Sequence, residues 1–296
     1  MADVPLVSVV MPSLNQGRFI EAAIDSVLGQ GYPNVELIVA DGASTDDTVH
    51  RLARRAQTDR RLRWFSGPDT GPADALNKAL TRVRGTIIGW LNADDLYAPG
   101  AIERAVNALE ENSSWLMVYG HGEHIDIEGR VTGRYPTLPP QTPFLKFAEG
   151  CFICQPTVFF RRTMSVLLGS LDESLKTAFD FDYWLRAFSS FSAERIGFVD
   201  AVQASSRLHD ECITLRSRRR VMLEGMQLLS DRLGVSPQHW VLTYADELSS
   251  SGLSAAEHAA EMASFLSEAK PYLGEADYRQ LFSVLGLSAC SIPRNL

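Results

Sequence analysis

The chain has 296 residues, 45% apolar and 22% charged, an ordinary globular composition that excludes global disorder and fibrous repeats. Lysine and arginine total 28 against 36 aspartates and glutamates, a formal net charge of −8, so the summed field repels nucleic acid and anionic polymers. No apolar run reaches the roughly 18 residues of a membrane span. Residues 1–5 carry no basic stretch ahead of an apolar one, so the sequence predicts a cytoplasmic protein. Four cysteines are too few for a disulfide scaffold in a chain of this size.

The first 120 residues alternate short apolar runs with longer amphipathic ones, the rhythm of βαβ units and a mostly parallel sheet. Strands are predicted at 6–11 (LVSVVM), 35–40 (VELIVA), 62–65, 86–91 (TIIGWL) and 115–119. Between them fall helices at 19–28, at 45–56 with Ser44 or Thr45 as N-cap, at 73–83 and at 101–109. After Tyr119 the pattern changes. Residues 125–134 read as a hairpin turning at Glu128 and Gly129, and the proline-rich 135–143 as an irregular connection. Short strands at 157–160, 194–199 and 203–208 and a helix at 180–188 follow. From about Leu215 the text is helical, with breaks at 234–237, 250–252 and Pro271. The predicted organisation is therefore an α/β half over 1–120, a second half of the same domain over 121–215, and a helical extension over 216–296.

In an open α/β sheet, ligands bind beyond the carboxyl ends of the strands. Here those ends are polar: Pro12-Ser13-Leu14-Asn15 after the first strand, 41–48 (DGASTDDT) after the second, 67–71 (GPDTG) after the third, and Asn92-Ala93-Asp94-Asp95 after the fourth. A strand-end aspartate accepts hydrogen bonds from a base or ribose, and the Asp94-Asp95 pair offers hard oxygens to Mg²⁺ or Mn²⁺ bridging phosphates. Turns and helix caps use the same residue types, so it is their recurrence on one rim that points to a site.

The stretches VSVVMPSLN, ELIVADGASTDDT, DTGPADALNKAL and GTIIGWLNADDLYAPG resemble the nucleotide-sugar half of glycosyltransferase family 2, and CQPTVFFRR, LDESLKTAFDFDYWLRA and RLH resemble its acceptor half. The resemblance covers roughly residues 6–215, with the motifs in the family's order. It implies a GT-A fold, a Rossmann-like mostly parallel sheet flanked by helices. It implies a metal-dependent inverting transfer of one sugar from a UDP-, dTDP- or GDP-sugar to a glycan or lipid-linked hydroxyl acceptor, in bacterial envelope polysaccharide or lipopolysaccharide assembly. By position, Pro12, Asn15 and Asp41 line the nucleoside pocket; Asp69, Asn77 and Lys78 contact the donor; and Asp94 is the metal carboxylate. Asn92 stands where the family's triplet usually opens with aspartate. His209 matches a metal or diphosphate ligand, and its neutral imidazole suits Mn²⁺ better than Mg²⁺. Gln155 is assigned to the acceptor pocket. Asp180 falls on the family's catalytic base, with Asp182 as the neighbouring alternative. Peripheral contact with the inner face of the membrane and self-association are both compatible with such a chain.

Three rivals stand beside this reading. Cys151-x-x-Cys154 with His209-x-x-Cys212 has the spacing of a four-ligand zinc site. A sugar nucleotidyltransferase also uses a doubly wound sheet, but wants a glycine-rich basic loop after the first strand, where this chain has PSLNQGR. A nucleotide-binding relative without turnover is the third, and Asn92 favours it. The arginines at 51, 54, 55, 60, 61 and 63 read as a solvated helix face, as do those at 216 and 218–220. The second run could also meet a diphosphate or lipid phosphate.

Overall fold

The computed structural model describes residues 4–287. It forms two compact units, one of residues up to 142 together with 152–212, the other of 143–151 together with 213 onward. With labels in chain order, the elements are β1 (Val7–Ser13), α1 (Ile20–Leu28), β2 (Val35–Asp41), α2 (Thr48–Thr58), β3 (Leu62–Ser66), α3 (Pro72–Leu80), β4 (Ile87–Trp90), β5 (Leu96–Tyr97), α4 (Ala101–Glu111), β6 (Met117–Ile125), β7 (Val131–Arg134), α5 (Phe144–Phe147), β8 (Phe159–Arg161), α6 (Arg162–Leu168), α7 (Phe179–Ser190) and β9 (Ile196–Arg207). The rest is helical: α8 (Ile213–Arg216), α9 (Arg218–Leu233), α10 (His239–Ser249), α11 (Ala255–Ala269) and α12 (Glu275–Val284).

The first unit is built on one nine-stranded sheet in the order β3-β2-β1-β4-β8-β6-β9-β5, with β7 paired to β6. The block β3-β2-β1-β4 is parallel, as predicted. Strand β8 then runs antiparallel to both β4 and β6, and β6 pairs β9 in parallel. Every residue of β1 and β2 is buried, which is why both read as largely apolar runs rather than alternating ones. Val7, Val9 and Met11 join Leu37 and Val39 and the apolar stripes of α1 and α4 in a single core. At the amino end of the sheet, buried Glu36 takes hydrogen bonds from Ser8 Oγ (2.6 Å), Arg84 N (2.8 Å) and Arg63 (2.8 Å), the partners a buried carboxylate requires.

Several elements depart from the sequence expectation. Helix α2 starts at Thr48, not 45, because Ser44 and Thr45 are engaged in the loop before it; its cap position is Asp47, with no side-chain cap bond. The basic face of α2 lies on acidic α1: Arg51 and Arg54 pair with Glu21, and Arg55 with Asp25. The two strands predicted at 194–199 and 203–208 are one strand, β9, carried past a register shift opposite Gly120 and His121. A Cβ on Gly120 would lie 2.6 Å from Val199 O, so only glycine admits that close approach.

The second unit contains α5 and α8 to α12. Its breaks fall at Gly234, a left-handed C-cap, at 250–252, and at the 3-10 turn Lys270–Tyr272. Gly225 of α9 leaves room for the Trp240 ring, which a Cβ would meet at 2.4 Å. Trp240 Nε1 donates to Ala148 O at 2.8 Å, a tie within the unit that groups residues 143–151 with 213 onward. Arg218, Arg219 and Arg220 pair with Glu247, with Glu261 and Glu268, and with Glu224.

Candidate active site

The register sets the ends of three strands level: Ser13 lies opposite Asp41, and Asp41 opposite Ser66. Asp41 is 2% exposed and accepts hydrogen bonds from Ser44 Oγ, Ser44 N (3.0 Å) and Ser66 Oγ (2.6 Å). Such a carboxylate is held in orientation by its donors and keeps acceptor capacity for a further N–H donor. Asn15, at φ 54°, locks the loop after β1 to the loop after β2. Its N–H donates to Ser44 Oγ at 2.7 Å, and its Oδ1 accepts from Thr45 N at 2.8 Å. Gly17 N donates to Asp46 Oδ2 at 2.9 Å in the same latch. Pro12 is buried in β1 beside it.

The third loop places its residues differently from one another. Asp69 accepts from Gly71 N at 2.9 Å and packs against Gly42, where a Cβ would stand 2.5 Å from its Oδ2. Burial, reinforced by the charge of Asp74, pushes its carboxyl above the ordinary range. Lys78 binds Asp74 (3.0 Å) and Pro68 O (3.1 Å), so its ammonium braces the loop. Asn77 spends its amide on the backbone of Leu171 and on Glu173, an internal tie where sequence had put a donor contact.

At the end of β4, Asp94 Oδ2 lies 3.1 Å from His209 Nε2, bringing together residues 115 positions apart. His209 is 9% exposed and packs on Phe19, with ring centroids 5.1 Å apart. Asp95 points inward, 3% exposed; its carboxylate takes Arg207 N (2.8 Å) and Asn92 Nδ2 (3.1 Å). Burial, and next the charge of Asp94, raise its pKa well above the carboxylate range. Asn92 also accepts from Trp90 Nε1 at 3.2 Å, so its amide is held by the protein on both sides. Arg207 closes the loop from outside by donating Nε to Asp94 O at 2.8 Å.

One carboxylate and one imidazole suit Mn²⁺ and tolerate Mg²⁺. Among the described residues no group of three or more His, Cys, Asp or Glu gathers into a metal site. The donor set therefore fits a cation that takes its other ligands from a diphosphate and water, the usual way Mg²⁺-like ions are held. Cys154 is buried against Gly122 and His209 meets Asp94, and among the described residues neither stands in a cluster that could hold zinc.

Trp90 links this strand end to α7 by stacking on Phe179, with centroids 5.7 Å apart and planes at 18°. Asp180 is the second residue of α7, partly buried, and accepts from Phe181 N at 2.8 Å. Desolvation pushes its carboxyl up to about 6. Asp182 faces other work: 5% exposed, it binds Arg186 Nε at 2.8 Å, and Arg186 reaches Leu168 O and Ser170 O. Gln155 is buried, donates to Trp90 O at 2.8 Å, and leaves its Oε1 without a partner. Sequence reasoning passed over Ser44, Ser66, Trp90 and Arg207. Ser44, Trp90 and Arg207 carried a signal, as part of the DGAST, GTIIGWL and RLH stretches, and Ser66 carried none.

The family model for glycosyl transferase family 2 matches residues 8–167. An uncharacterized glycosyltransferase of Rickettsia felis is 30% identical over 218 residues, covering 70% of this chain, which spans only 35% of that relative's length. The UDP-Glc:alpha-D-GlcNAc-diphosphoundecaprenol beta-1,3-glucosyltransferase WfgD of Escherichia coli is 31% identical over 197 residues, covering 66% of this chain and 75% of its own. In structure, the mannosyltransferase PcManGT of Pyrobaculum calidifontis, solved with GDP-Man and Mn2+, superposes with a TM-score of 0.61 at 20% identity, covering 98% of this chain and 83% of its own. The match runs through the strand ends that carry Asn15, Asp41 and Asp94, and on this evidence the chain belongs to glycosyltransferase family 2, with the GT-A fold.

Proposed function

We propose that the protein transfers a single sugar from a nucleoside diphosphate donor to a hydroxyl acceptor, with inversion at the sugar carbon. The observation that carries this reading is the end of β4. The same few residues present Asp94 to His209 at 3.1 Å and, through the Trp90–Phe179 stack, seat the helix that bears Asp180. That proximity of Asp94 to His209, and the ring stack between the same strand end and the helix of Asp180, support the reading.

Asp41 accepts an N–H of the nucleobase, and the Asn15–Ser44 latch holds the two loops around the nucleoside. Asp94 and His209 hold Mn²⁺ or Mg²⁺, which when bound neutralises charge on the departing diphosphate. Asp180, ionised above about pH 6, accepts the acceptor hydroxyl proton on a carboxylate oxygen as the new bond forms. Its raised basicity improves that transfer. The relative's name, with its UDP-Glc donor and diphosphoundecaprenol-linked acceptor, supports a place in cell-envelope glycan assembly at the cytoplasmic face of a membrane. Among the described residues no helix is long and apolar enough to cross one.

The test is calorimetry of UDP, dTDP and GDP with and without Mn²⁺, followed by release of nucleoside diphosphate from UDP-glucose, UDP-N-acetylglucosamine and GDP-mannose. One nucleotide bound in a Mn²⁺-dependent way, and released from its sugar, supports the proposal. Absence of any metal-dependent nucleotide binding refutes it. Binding without turnover favours a nucleotide-binding relative, consistent with Asn92 being committed to Trp90 and Asp95.

A further inference from the structure

The path into Asp180 is the loop between α6 and α7, residues 169–178, and it is pinned from both sides. Gly169 leaves α6 at φ 76°, a conformation that favours glycine. From α7, Arg186 donates to Leu168 O (2.6 Å) and Ser170 O (2.9 Å), braced by Asp182. From α3, Asn77 pairs with the next residue as one strand would with another. Its Nδ2 donates to Leu171 O at 3.0 Å, and its Oδ1 accepts from Leu171 N at 2.9 Å. The second Nδ2 hydrogen goes to Glu173 Oε1 at 2.8 Å. An amide has two donor hydrogens, and here both are used. Leu171 and Leu175 are buried on either side of these contacts. Lys176 Nζ then donates to Thr70 O at 3.1 Å, in the loop that carries Asp69.

We infer that Asn77 is a positioning residue. It fastens the approach to the Asp180 helix onto α3, so that the base keeps a fixed place relative to the donor-side loop of residues 67–71. The inference rests on Asp180 being the base of the proposed transfer. In this role Asn77 acts through its bonds to Leu171 and Glu173. Its effect passes through the Leu171 backbone, and a loop freed at Leu171 lets the first turn of α7 wander. Displacements near 1 Å are enough to cost about 100-fold in a positioned reaction.

The experiment compares the full chain with Asn77→Ala and Glu173→Ala, the second removing only the outer of the three hydrogen bonds. Three measurements are made: hydrogen exchange of peptides spanning 170–181, UDP affinity with Mn²⁺ by calorimetry, and release of UDP from UDP-glucose, or of the diphosphate from whichever of the three donors the wild type turns over. For Asn77→Ala the expected result is faster exchange over 171–176, nucleotide affinity within about twofold of wild type, and kcat lowered about 10- to 100-fold at unchanged donor KM. Glu173→Ala shifts exchange and kcat in the same direction but less, and it carries the test if Asn77→Ala does not fold. Unchanged exchange overturns the clamp. Faster exchange with wild-type kcat overturns the positioning role. A parallel loss of nucleotide affinity and turnover makes Asn77 a donor contact and overturns the inference as well. A wild type inert toward all three donors refutes the transferase reading and the catalytic consequence with it, while the exchange data still decide the clamp.

Discussion

Replacing Asp180 with asparagine separates catalysis from stability at one residue. Asparagine is nearly isosteric and its Oδ1 still accepts from Phe181 N. What it lacks is the charge and the proton. The folded carboxyl ionises at about 6 against an ordinary 3.8 because burial disfavours its charged form. Between those values the folded chain holds the proton more tightly than the unfolded one, so stability from this group is complete below about pH 4 and is lost as pH rises through 6. The full span is worth about 3 kcal/mol at 1.36 kcal/mol per pH unit, a ceiling that water entering the site reduces. Asparagine carries no such cost. The variant should therefore match wild type near pH 4 and exceed it at pH 8, by several degrees at roughly 2–4 °C per kcal/mol for a unit of this size. Turnover at pH 8 should fall by on the order of 10² to 10⁴, with nucleotide affinity unchanged. Wild-type kcat should decline as pH drops below about 6. The assay is a pair of melting curves across pH 4–8 with turnover measured on the same samples. A melting difference that stays flat with pH refutes the desolvation argument, and a variant that keeps most of its turnover refutes Asp180 as the base.

Asp94→Ala should leave the fold intact and remove one of the two cation ligands, weakening Mn²⁺-dependent UDP binding by about 10- to 100-fold; calorimetry with and without Mn²⁺ checks it. Asp182→Asn breaks the charged bond to Arg186 and should lower stability by about 1–3 kcal/mol in denaturant titration, while reducing turnover far less than Asp180→Asn. Ser44→Ala takes away the hydroxyl shared by Asn15 N and Asp41 Oδ1 and should weaken nucleotide binding about tenfold, with melting little changed; wild-type affinity would show that the latch does not shape the pocket.

What the sequence determined by itself is the part of the molecule governed by local pattern. Mostly apolar runs such as 35–40 mark buried parallel strands, and the stripe of Phe19, Ala23, Ile24, Val27 and Leu28 marks the helix that covers them. Polar residues directly after those strands were legible as a rim, so Asp41 and Asp94 could be named before any contact was known, and the family resemblance added Asp180. Tertiary structure decided how each polar group is spent, because that depends on partners far away in sequence. Asp94 and Asp95 are adjacent, yet one meets His209 and the other is buried under Arg207 N. Asn77 and Lys78 sit in one motif, yet one ties down Leu171, 94 positions away, and the other braces Asp74. The continuous β9 strand and the two-residue β5 exist only through pairing with β6 and β9, and segments so short or interrupted carry no periodicity of their own. The raised pKa of Asp180 likewise has no local signature, since desolvation comes from whatever packs around the carboxyl in the folded chain.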